Sequence, residues 1–280
     1  MTNRTVEVRP HLLATPAAAL AGGPRILAIS GGRAGVGATT VAMNLATSLA
    51  SEALRVVLID GDSCQAEVAA HCGLTAQPNI SDVLTGRKNI HEALQRAPAG
   101  MQILAGSISA EAAPAISPRM RQRLQRQLLS LRRHADWIIV DAGHQATELM
   151  SLLWSLADQV LLVTAPDAAA VMDTYAFVKT LLSNHAMNAN LSLAVNLAES
   201  AADAADVYRR VDQSCRRFLG ISLGFAGFVP PDPSSVSRPD ASAGLDSRQT
   251  TEPFADAFSR LVHHLTAAPA ANAAPRRMAA

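Results

Sequence analysis

The chain has 280 residues, of which 49% are hydrophobic and 17% charged, a balance that predicts one α/β domain with a sizeable core, or at most two small domains. The formal net charge of +1 gives no overall reason to expect a nucleic acid or an anionic membrane as partner. Three cysteines without a Cys-x-x-Cys pair argue against a disulfide framework and a zinc site, and they favour the reducing cytoplasm.

The two ends of the chain differ in composition from its middle. Residues 1–24 are rich in alanine and proline without clear periodicity, which predicts a flexible leader. Glu7 and Pro16 argue against a secretory signal peptide, because they interrupt the basic and apolar regions that such a peptide needs. Residues 267–280 turn to alanine, proline and asparagine, which predicts a disordered tail. The folded domain is therefore expected over residues 25–266.

Between these ends, short apolar runs alternate with helical patterns. The runs are Ile26–Ile29, Val56–Ile59, Trp137–Val140 and Val160–Val163, with looser ones at Leu191–Val195 and Phe225–Val229. Continuous apolar runs are typical of strands that are buried on both faces of a parallel sheet. Helical patterns follow at Val41–Ala46, around Leu124–Leu131 and at Val171–Leu182. This alternation predicts an α/β fold with a doubly wound, mainly parallel sheet and helices on both faces.

A glycine-rich loop joins the first predicted strand to the first predicted helix. Gly32 and Gly37 have the spacing of the phosphate-binding motif Gly-x4-Gly-Lys-Thr. Glycines let backbone N–H groups wrap an anion, and the helix that follows points its positive end at it. We expect Thr39 to ligate Mg²⁺ through its hydroxyl. The candidate phosphate-binding residues are Gly32, Arg33, Ala34, Gly35, Val36, Gly37, Ala38, Thr39 and Thr40. The alternative is a strand-to-helix turn that binds nothing.

Residues Gly35–Thr40 resemble the deviant Walker A motif Gly-Val-Gly-Lys-Thr-Thr of the MinD/ParA family of P-loop ATPases. Ala38 stands where that family has lysine, and Arg33 stands where it has a second, signature lysine that reaches across an ATP-bound dimer. The loss of one charge-assisted hydrogen bond to phosphate is expected to weaken binding by about ten- to a hundredfold. Hydrolysis should suffer more than binding, because transition-state charge is less well neutralised.

Aspartates follow two of the predicted strands. Asp60 and Asp62 come after the second strand and Asp141 after the third, where open α/β sheets place their ligand sites. The resemblance implies a Walker B role for Asp141 as a Mg²⁺ ligand. It implies that Asp60 and Asp62 form the family's Asp-x-Asp motif, which positions the attacking water. The alternative for any single aspartate is a helix N-cap or a turn.

Other segments resemble one branch of the family, the FlhG/FleN regulators of flagellar number. These segments are Pro78–Gly86, Val163–Asp167 and Val171–Ala176. The family recognises the nucleotide base near an asparagine after a later strand and at a Pro-x-Asp loop. Asn196, Pro230 and Asp232 occupy those places. The resemblance covers about residues 25–265.

Two surface features bear on partners. Six arginines surround the leucine face of one predicted helix: Arg119, Arg121, Arg123, Arg126, Arg132 and Arg133. We favour a solvated helix face, with a docking surface for DNA or an acidic partner as the alternative. The apolar face of Phe254–Leu265 favours a closing helix packed on the sheet over a membrane-binding helix, because basic residues are few.

The resemblance implies a cytoplasmic regulator of flagellar number or placement that binds ATP and Mg²⁺ weakly. Its expected partners are proteins, such as a flagellar GTPase or a transcriptional regulator, and a second copy of itself in a nucleotide-dependent homodimer. Association with the inner membrane or the cell pole is left open. One alternative is a slow ATPase in which Arg33 replaces the lysine. Another is a nucleotide-independent pseudo-ATPase scaffold of a secretion, pilus or cellulose-synthesis machine, similar to CpaE.

Overall fold

The computed structural model describes residues 25–62, 66–107, 116–184, 190–232 and 252–267. The predicted leader and residues 268–280 of the predicted tail lie outside them. The strands are β1 Arg25–Gly31, β2 Val56–Asp60, β3 Gln95–Arg96, β4 Gln102–Leu104, β5 Trp137–Asp141, β6 Gln159–Thr164, β7 Asn190–Asn196 and β8 Gly224–Val229. The α-helices are α1 Ala38–Ser51, α2 Val68–His71, α3 Ile80–Thr85, α4 Ile90–Ala93, α5 Pro118–Ser130, α6 Glu148–Ser155, α7 Ala168–Asn184, α8 Ala201–Leu219 and α9 Glu252–Ala267.

The strands form one sheet in the order β3-β4-β2-β5-β1-β6-β7-β8. Every neighbouring pair of strands from β4 along to β8 in this order is parallel. The short strand β3 lies at one edge of the sheet and pairs antiparallel with β4. The chain winds first to one side of β1 and then to the other, which confirms the predicted doubly wound, mainly parallel α/β sheet. Such a sheet places its ligand site beyond the carboxyl ends of the central strands.

Helices cover both faces of the sheet. Along β1, Leu27 and Ile29 face a core that contains the apolar residues of α1 and α9, whereas Ala28 faces a second core with α5, α6 and α7. All three of these β1 side chains are fully buried. This arrangement explains why the strands appear as continuous apolar runs rather than as alternating ones.

The register brings Asp60 and Asp141 together at the carboxyl ends of two central strands. Asp60 pairs directly with Asp141 across β2 and β5, and Ile29 of β1 pairs with Asp141 on its other side. The glycine loop leaves β1 at this same end of the sheet. All six predicted strands are observed, and β3 and β4 are additional strands that the sequence interpretation missed.

Helix α9 closes the fold. Its apolar face, from Phe254 to Leu265, is buried against the core of α1, and it contacts β8. This confirms a helix packed on the sheet. The helix includes Ala267, the first residue that we assigned to the tail. None of the described helices is long and apolar enough to cross a membrane.

Candidate functional site

The glycine loop has the backbone of an anion-binding turn. Gly35 and Gly37 have φ angles of 82° and 84°, in the left-handed region that favours glycine. Gly37 is the residue that precedes α1, and within the described residues no side chain caps that helix. The first N–H groups of α1 therefore have no acceptor within the helix, and the positive end of the helix dipole lies at the loop. An anion such as phosphate would accept hydrogen bonds from these N–H groups and would be attracted by the positive end of the dipole.

Gly32 fixes the loop against helix α7. A Cβ atom at Gly32 would lie 2.6 Å from the backbone nitrogen of Thr174, closer than any side chain can approach. Thr174 is itself buried and bonds through its hydroxyl to Thr164 at the end of β6. The start of the phosphate loop is thereby packed directly on the backbone of α7.

Asn196, predicted to lie near a nucleotide base, contacts the loop. Its side-chain amide donates a 2.9 Å hydrogen bond to the carbonyl oxygen of Val36, and Asn196 is only 5% exposed. Pro230 and Asp232 follow β8, whose last residue, Val229, pairs with Asn196. The structure thus brings the three residues assigned to base recognition to the neighbouring carboxyl ends of β7 and β8. Base recognition by them stays a prediction, and support of the loop is a contact that sequence reasoning missed.

Replacing Asn196 by alanine separates these two roles. We expect the free energy of unfolding to fall by about 1–3 kcal/mol, because the substitution leaves the buried carbonyl of Val36 without its donor. Nucleotide affinity should fall as the loop loses its support. Chemical denaturation and ATP titration of the same variant measure both effects. Unchanged stability together with a changed preference between ATP and GTP would instead identify Asn196 as a base contact.

Two of the predicted carboxylates lie beside the loop. The hydroxyl of Thr39 is hydrogen-bonded to the side chain of Asp141, which is 1% exposed and also accepts from the N–H of Gly143 at 3.3 Å. Asp62 packs on the same glycine, because a Cβ atom at Gly143 would lie 2.6 Å from its carboxyl group. Thr39, Asp141 and Asp62 therefore form one continuous polar edge next to the start of α1.

Asp60 lies behind this edge. Its carboxylate accepts from the backbone N–H groups of Asp62 and Val68, both at 3.2 Å, and it is completely buried. Burial, and then the neighbouring charge of Asp141, raise the pKa of Asp60 well above its usual value. Its observed contacts hold the segment that carries Asp62. The catalytic roles predicted for Asp60 and Asp62 stay predictions.

Asp60 and Asp141 are buried carboxyl groups whose pKa values show no effect of a nearby cation among the described residues. Burial raises the pKa of Asp141 to about 6, although hydrogen bonds from Thr39 and Gly143 oppose the shift. Carboxylates in this condition are stabilised by a bound metal cation or by protonation.

Arg33 forms an ion pair with an aspartate outside this group of buried carboxyl residues. Its guanidinium forms a 3.4 Å ion pair with Asp167, which also accepts from the N–H of Ala170 at the start of α7. The two side chains of the pair are 41% and 45% exposed. Ala38 is half-buried and packs against the hydrophobic core, so it brings only a methyl group to the place of the family's lysine. The loop is therefore a cradle of backbone donors with little side-chain charge.

Trp154 connects helix α6 to the end of β1. It packs against Phe177, and its indole N–H donates a 3.0 Å hydrogen bond to the hydroxyl of Ser30. Ser30 is fully buried at the end of β1, directly before the loop. The position of this tryptophan makes its fluorescence a natural reporter of changes in the loop.

Comparison with known proteins agrees with this geometry. An AAA domain family matches residues 24–194. The antiactivator FleN of Pseudomonas aeruginosa is 30% identical over 210 residues, which are 75% of this chain and 75% of FleN. This chain belongs to the MinD/ParA-type P-loop ATPase family, close to FlhG/FleN. The flagellum site-determining protein YlxH of Helicobacter pylori is 26% identical over 74% of this chain and 70% of its own length.

Solved structures show the same fold. The septum site-determining protein MinD of Pyrococcus horikoshii, complexed with Mg-ADP, matches with a TM-score of 0.68 and 21% identity over 86% of this chain and 96% of its own. A MinC:MinD complex of Aquifex aeolicus matches with a TM-score of 0.66 and 21% identity over 88% and 97%. At this level of identity the matches establish the architecture of the sheet and its helices.

The residues present fit a magnesium nucleotide of this family. The described residues contain no group of three His, Cys, Asp or Glu side chains arranged to hold a metal by themselves. A P-loop site does not need one, because its Mg²⁺ takes one hydroxyl and one carboxylate from the protein and the remaining oxygens from phosphate and water. Thr39 and Asp141 are the residues that would supply that hydroxyl and that carboxylate.

Proposed function

We propose that this protein is a FleN-like regulator of flagellar number or placement that binds ATP–Mg²⁺ weakly and acts through partner proteins. The observation that carries the proposal is the charge balance of the site. The loop keeps its backbone donors and its Thr39–Asp141 pair, whereas Ala38 brings no charge and Arg33 is engaged by Asp167. Such a site retains the parts that hold a nucleotide and lacks the part that speeds its hydrolysis.

Nucleotide binding at this site should depend strictly on Mg²⁺. ATP carries several negative charges, and the buried carboxyl group of Asp141, with a pKa of about 6, is ionised at neutral pH beside the loop. Without a cation it repels phosphate, because electrostatic interactions are strong where water is excluded. Thr39 and Asp141 would hold the metal, which neutralises phosphate charge when bound. Asp62 would orient water for a slow hydrolysis.

The names of the relatives support the biological assignment. FleN is described as an antiactivator and YlxH as a flagellum site-determining protein. A role in flagellar number or placement follows for this chain in family terms. The proposed partners are a transcriptional regulator or a flagellar GTPase, together with a second copy of the chain in the nucleotide-bound state. The proposed location is the cytoplasm, with association at the inner membrane or the pole depending on such partners.

Deletion of the gene tests the biological assignment. We expect the number or position of flagella per cell to change, and a plasmid that carries the wild-type gene should restore it. The Asp141→Ala variant should restore it poorly, because that variant lacks the proposed metal ligand. Electron microscopy of flagella gives the count. Normal flagella together with a defect in pili or in secreted cellulose would contradict the proposal and favour the scaffold alternative.

The partial exposure of the ion pair between Arg33 and Asp167 favours a second candidate function, a slow ATPase in which Arg33 leaves Asp167 and becomes the phosphate-binding cation. A guanidinium can bind phosphate through two donors, provided that it leaves Asp167. The pair is partly exposed and contributes about 0.2–1 kcal/mol, so nucleotide can compete for Arg33 at little cost. Sequence reasoning noted both segments but could not join them, since 134 positions separate the two residues.

Asp167→Asn tests this candidate. Asparagine can still accept from the N–H of Ala170, so stability should change by no more than about 0.5 kcal/mol. If Arg33 serves the phosphates, its release should tighten ATP binding about two- to fivefold, which equals the free energy of the lost pair. The Arg33→Gln/Asp167→Asn double variant is the control, and it should lose the gain. Equal affinities in all three proteins would contradict a phosphate-binding role for Arg33.

A further inference from the structure

A second concave site lies between the segment after α3 and helix α5, outside the nucleotide site. Its cavity has a volume of about 470 Å³. The residues that line it are Gly86, Arg87, Lys88, Asn89, Glu92, Arg123, Arg126 and Gln127. We call this cavity the basic pocket. Four of its lining residues are cationic and one is acidic, whereas the whole chain has a net charge of only +1.

The four cations of the basic pocket outnumber the two nearby carboxylates, Asp82 and Glu92, and the charges of Arg87 and Lys88 both act on Asp82. Arg87 forms a 2.7 Å ion pair with Asp82, and the carboxylate of Glu92 accepts from the backbone N–H of Asn89. Within the described part of the chain, Lys88, Arg123 and Arg126 form no ion pair with a carboxylate. Like charges that converge on one cavity repel each other, so an anionic occupant stabilises the arrangement.

The walls of the basic pocket are fixed by the fold. Gly86 ends α3 with a φ angle of 81°, and a Cβ atom there would lie 1.2 Å from a guanidinium nitrogen of Arg123. The Arg123 guanidinium therefore lies directly on the glycine, where any larger residue would displace it. Gln127, on the same face of α5, accepts a 2.7 Å hydrogen bond from the N–H of Ile90 and so joins α5 to α4.

We propose that the basic pocket docks an acidic segment of a partner protein. An acidic segment presents several carboxylates, whose negative charge complements the four cations that line the pocket. Guanidinium groups bind carboxylates through two donors. None of the lining residues is aromatic, so the pocket lacks the stacking surface that single-stranded nucleic acids use. The overall charge gives little long-range attraction for duplex DNA.

Fluorescence anisotropy with a labelled peptide of alternating glutamate and serine tests the proposal. The full chain is used without nucleotide, so the result is independent of the nucleotide site. We expect the peptide to bind at low salt, and the Lys88→Gln/Arg126→Gln double variant to bind it about tenfold more weakly or worse. Both residues are exposed, so the variant should fold. Arg260→Gln, an exposed arginine on α9, is the matched control and should bind like wild type.

Three results would overturn the proposal. One is the absence of peptide binding to the wild-type chain. Another is equal loss of binding in the double variant and in Arg260→Gln, which indicates attraction to charge in general. The third is tighter binding of a labelled DNA duplex than of the peptide, lost in the double variant alone, which assigns the basic pocket to nucleic acid.

Discussion

The Ala38→Lys variant is expected to bind ATP–Mg²⁺ about ten- to a hundredfold more tightly than the wild-type protein. The backbone donors of the loop are already in place, so the new ammonium group adds one charge-assisted hydrogen bond to phosphate. It also brings a cation to a site whose nearby carboxylates Asp60, Asp62 and Asp141 are at most 7% exposed. Isothermal titration calorimetry of both proteins measures the difference.

Ala38→Met is the matched control for this variant. Methionine has an unbranched side chain of similar length without a charge, so it reproduces the packing change alone. We expect ATP affinity in Ala38→Met to equal that of wild type or to fall below it. Equal gains in the lysine and methionine variants would contradict an electrostatic cause. No gain in Ala38→Lys would show that the loop does not direct this position at phosphate.

The Asp141→Asn variant is expected to be more stable than wild type in the absence of metal and nucleotide, by about 1–3 kcal/mol at pH 7.5. The carboxyl group ionises near its usual pKa of 3.8 when the chain is unfolded and at about 6 when it is folded. Burial therefore penalises the charged form, and this penalty is fully present above pH 6. Asparagine removes the charge and keeps an oxygen that can accept from Gly143.

The pH dependence of this gain has a definite sign. Between about pH 4 and pH 6 the folded wild-type protein holds a proton that the unfolded chain has lost, so its stability falls as pH rises. The difference between the two proteins should be small near pH 4, grow up to pH 6 and stay constant above it. Mg²⁺ with ATP should stabilise wild type more than Asp141→Asn. Chemical denaturation across this pH range provides the measurement.

An exposed aspartate on α9 supplies the control. Asp256→Asn should change stability by no more than about 0.5 kcal/mol at every pH tested. If Asp141→Asn instead lowers stability at pH 7.5, the hydrogen bonds of Asp141 outweigh the penalty of its burial. Asp141 would then stabilise the fold through its hydrogen bonds, without requiring a bound cation.

The central sheet could be predicted because each of its main strands is buried on both faces. A run such as Val56–Ile59 can be recognised from its residue types alone, since every side chain of β2 is buried. The short strands β3 and β4 contain two and three residues. Segments of that length carry no periodicity, so their pairing is decided by the tertiary structure.

The parts of the site were predictable, whereas the directions of their side chains were not. The spacing of glycines and the aspartates after strands identified the loop, Asp62 and Asp141. Sequence order could not show that Arg33 pairs with Asp167, because that contact depends on how β6 and α7 pack beside the loop. Nor could it show that Asn196 supports Val36, because 160 positions separate them and the contact depends on β7 lying next but one to β1 in the sheet.

Calorimetric titration of the purified wild-type protein with ATP, with and without Mg²⁺, tests most directly whether the degenerate loop still holds a nucleotide. We predict binding in the micromolar range that disappears when Mg²⁺ is removed, since backbone donors, Thr39 and Asp141 together form a sufficient site. No heat of binding in wild type at millimolar ATP, with clear binding in Ala38→Lys, would contradict this prediction. The protein would then be a scaffold that works without nucleotide.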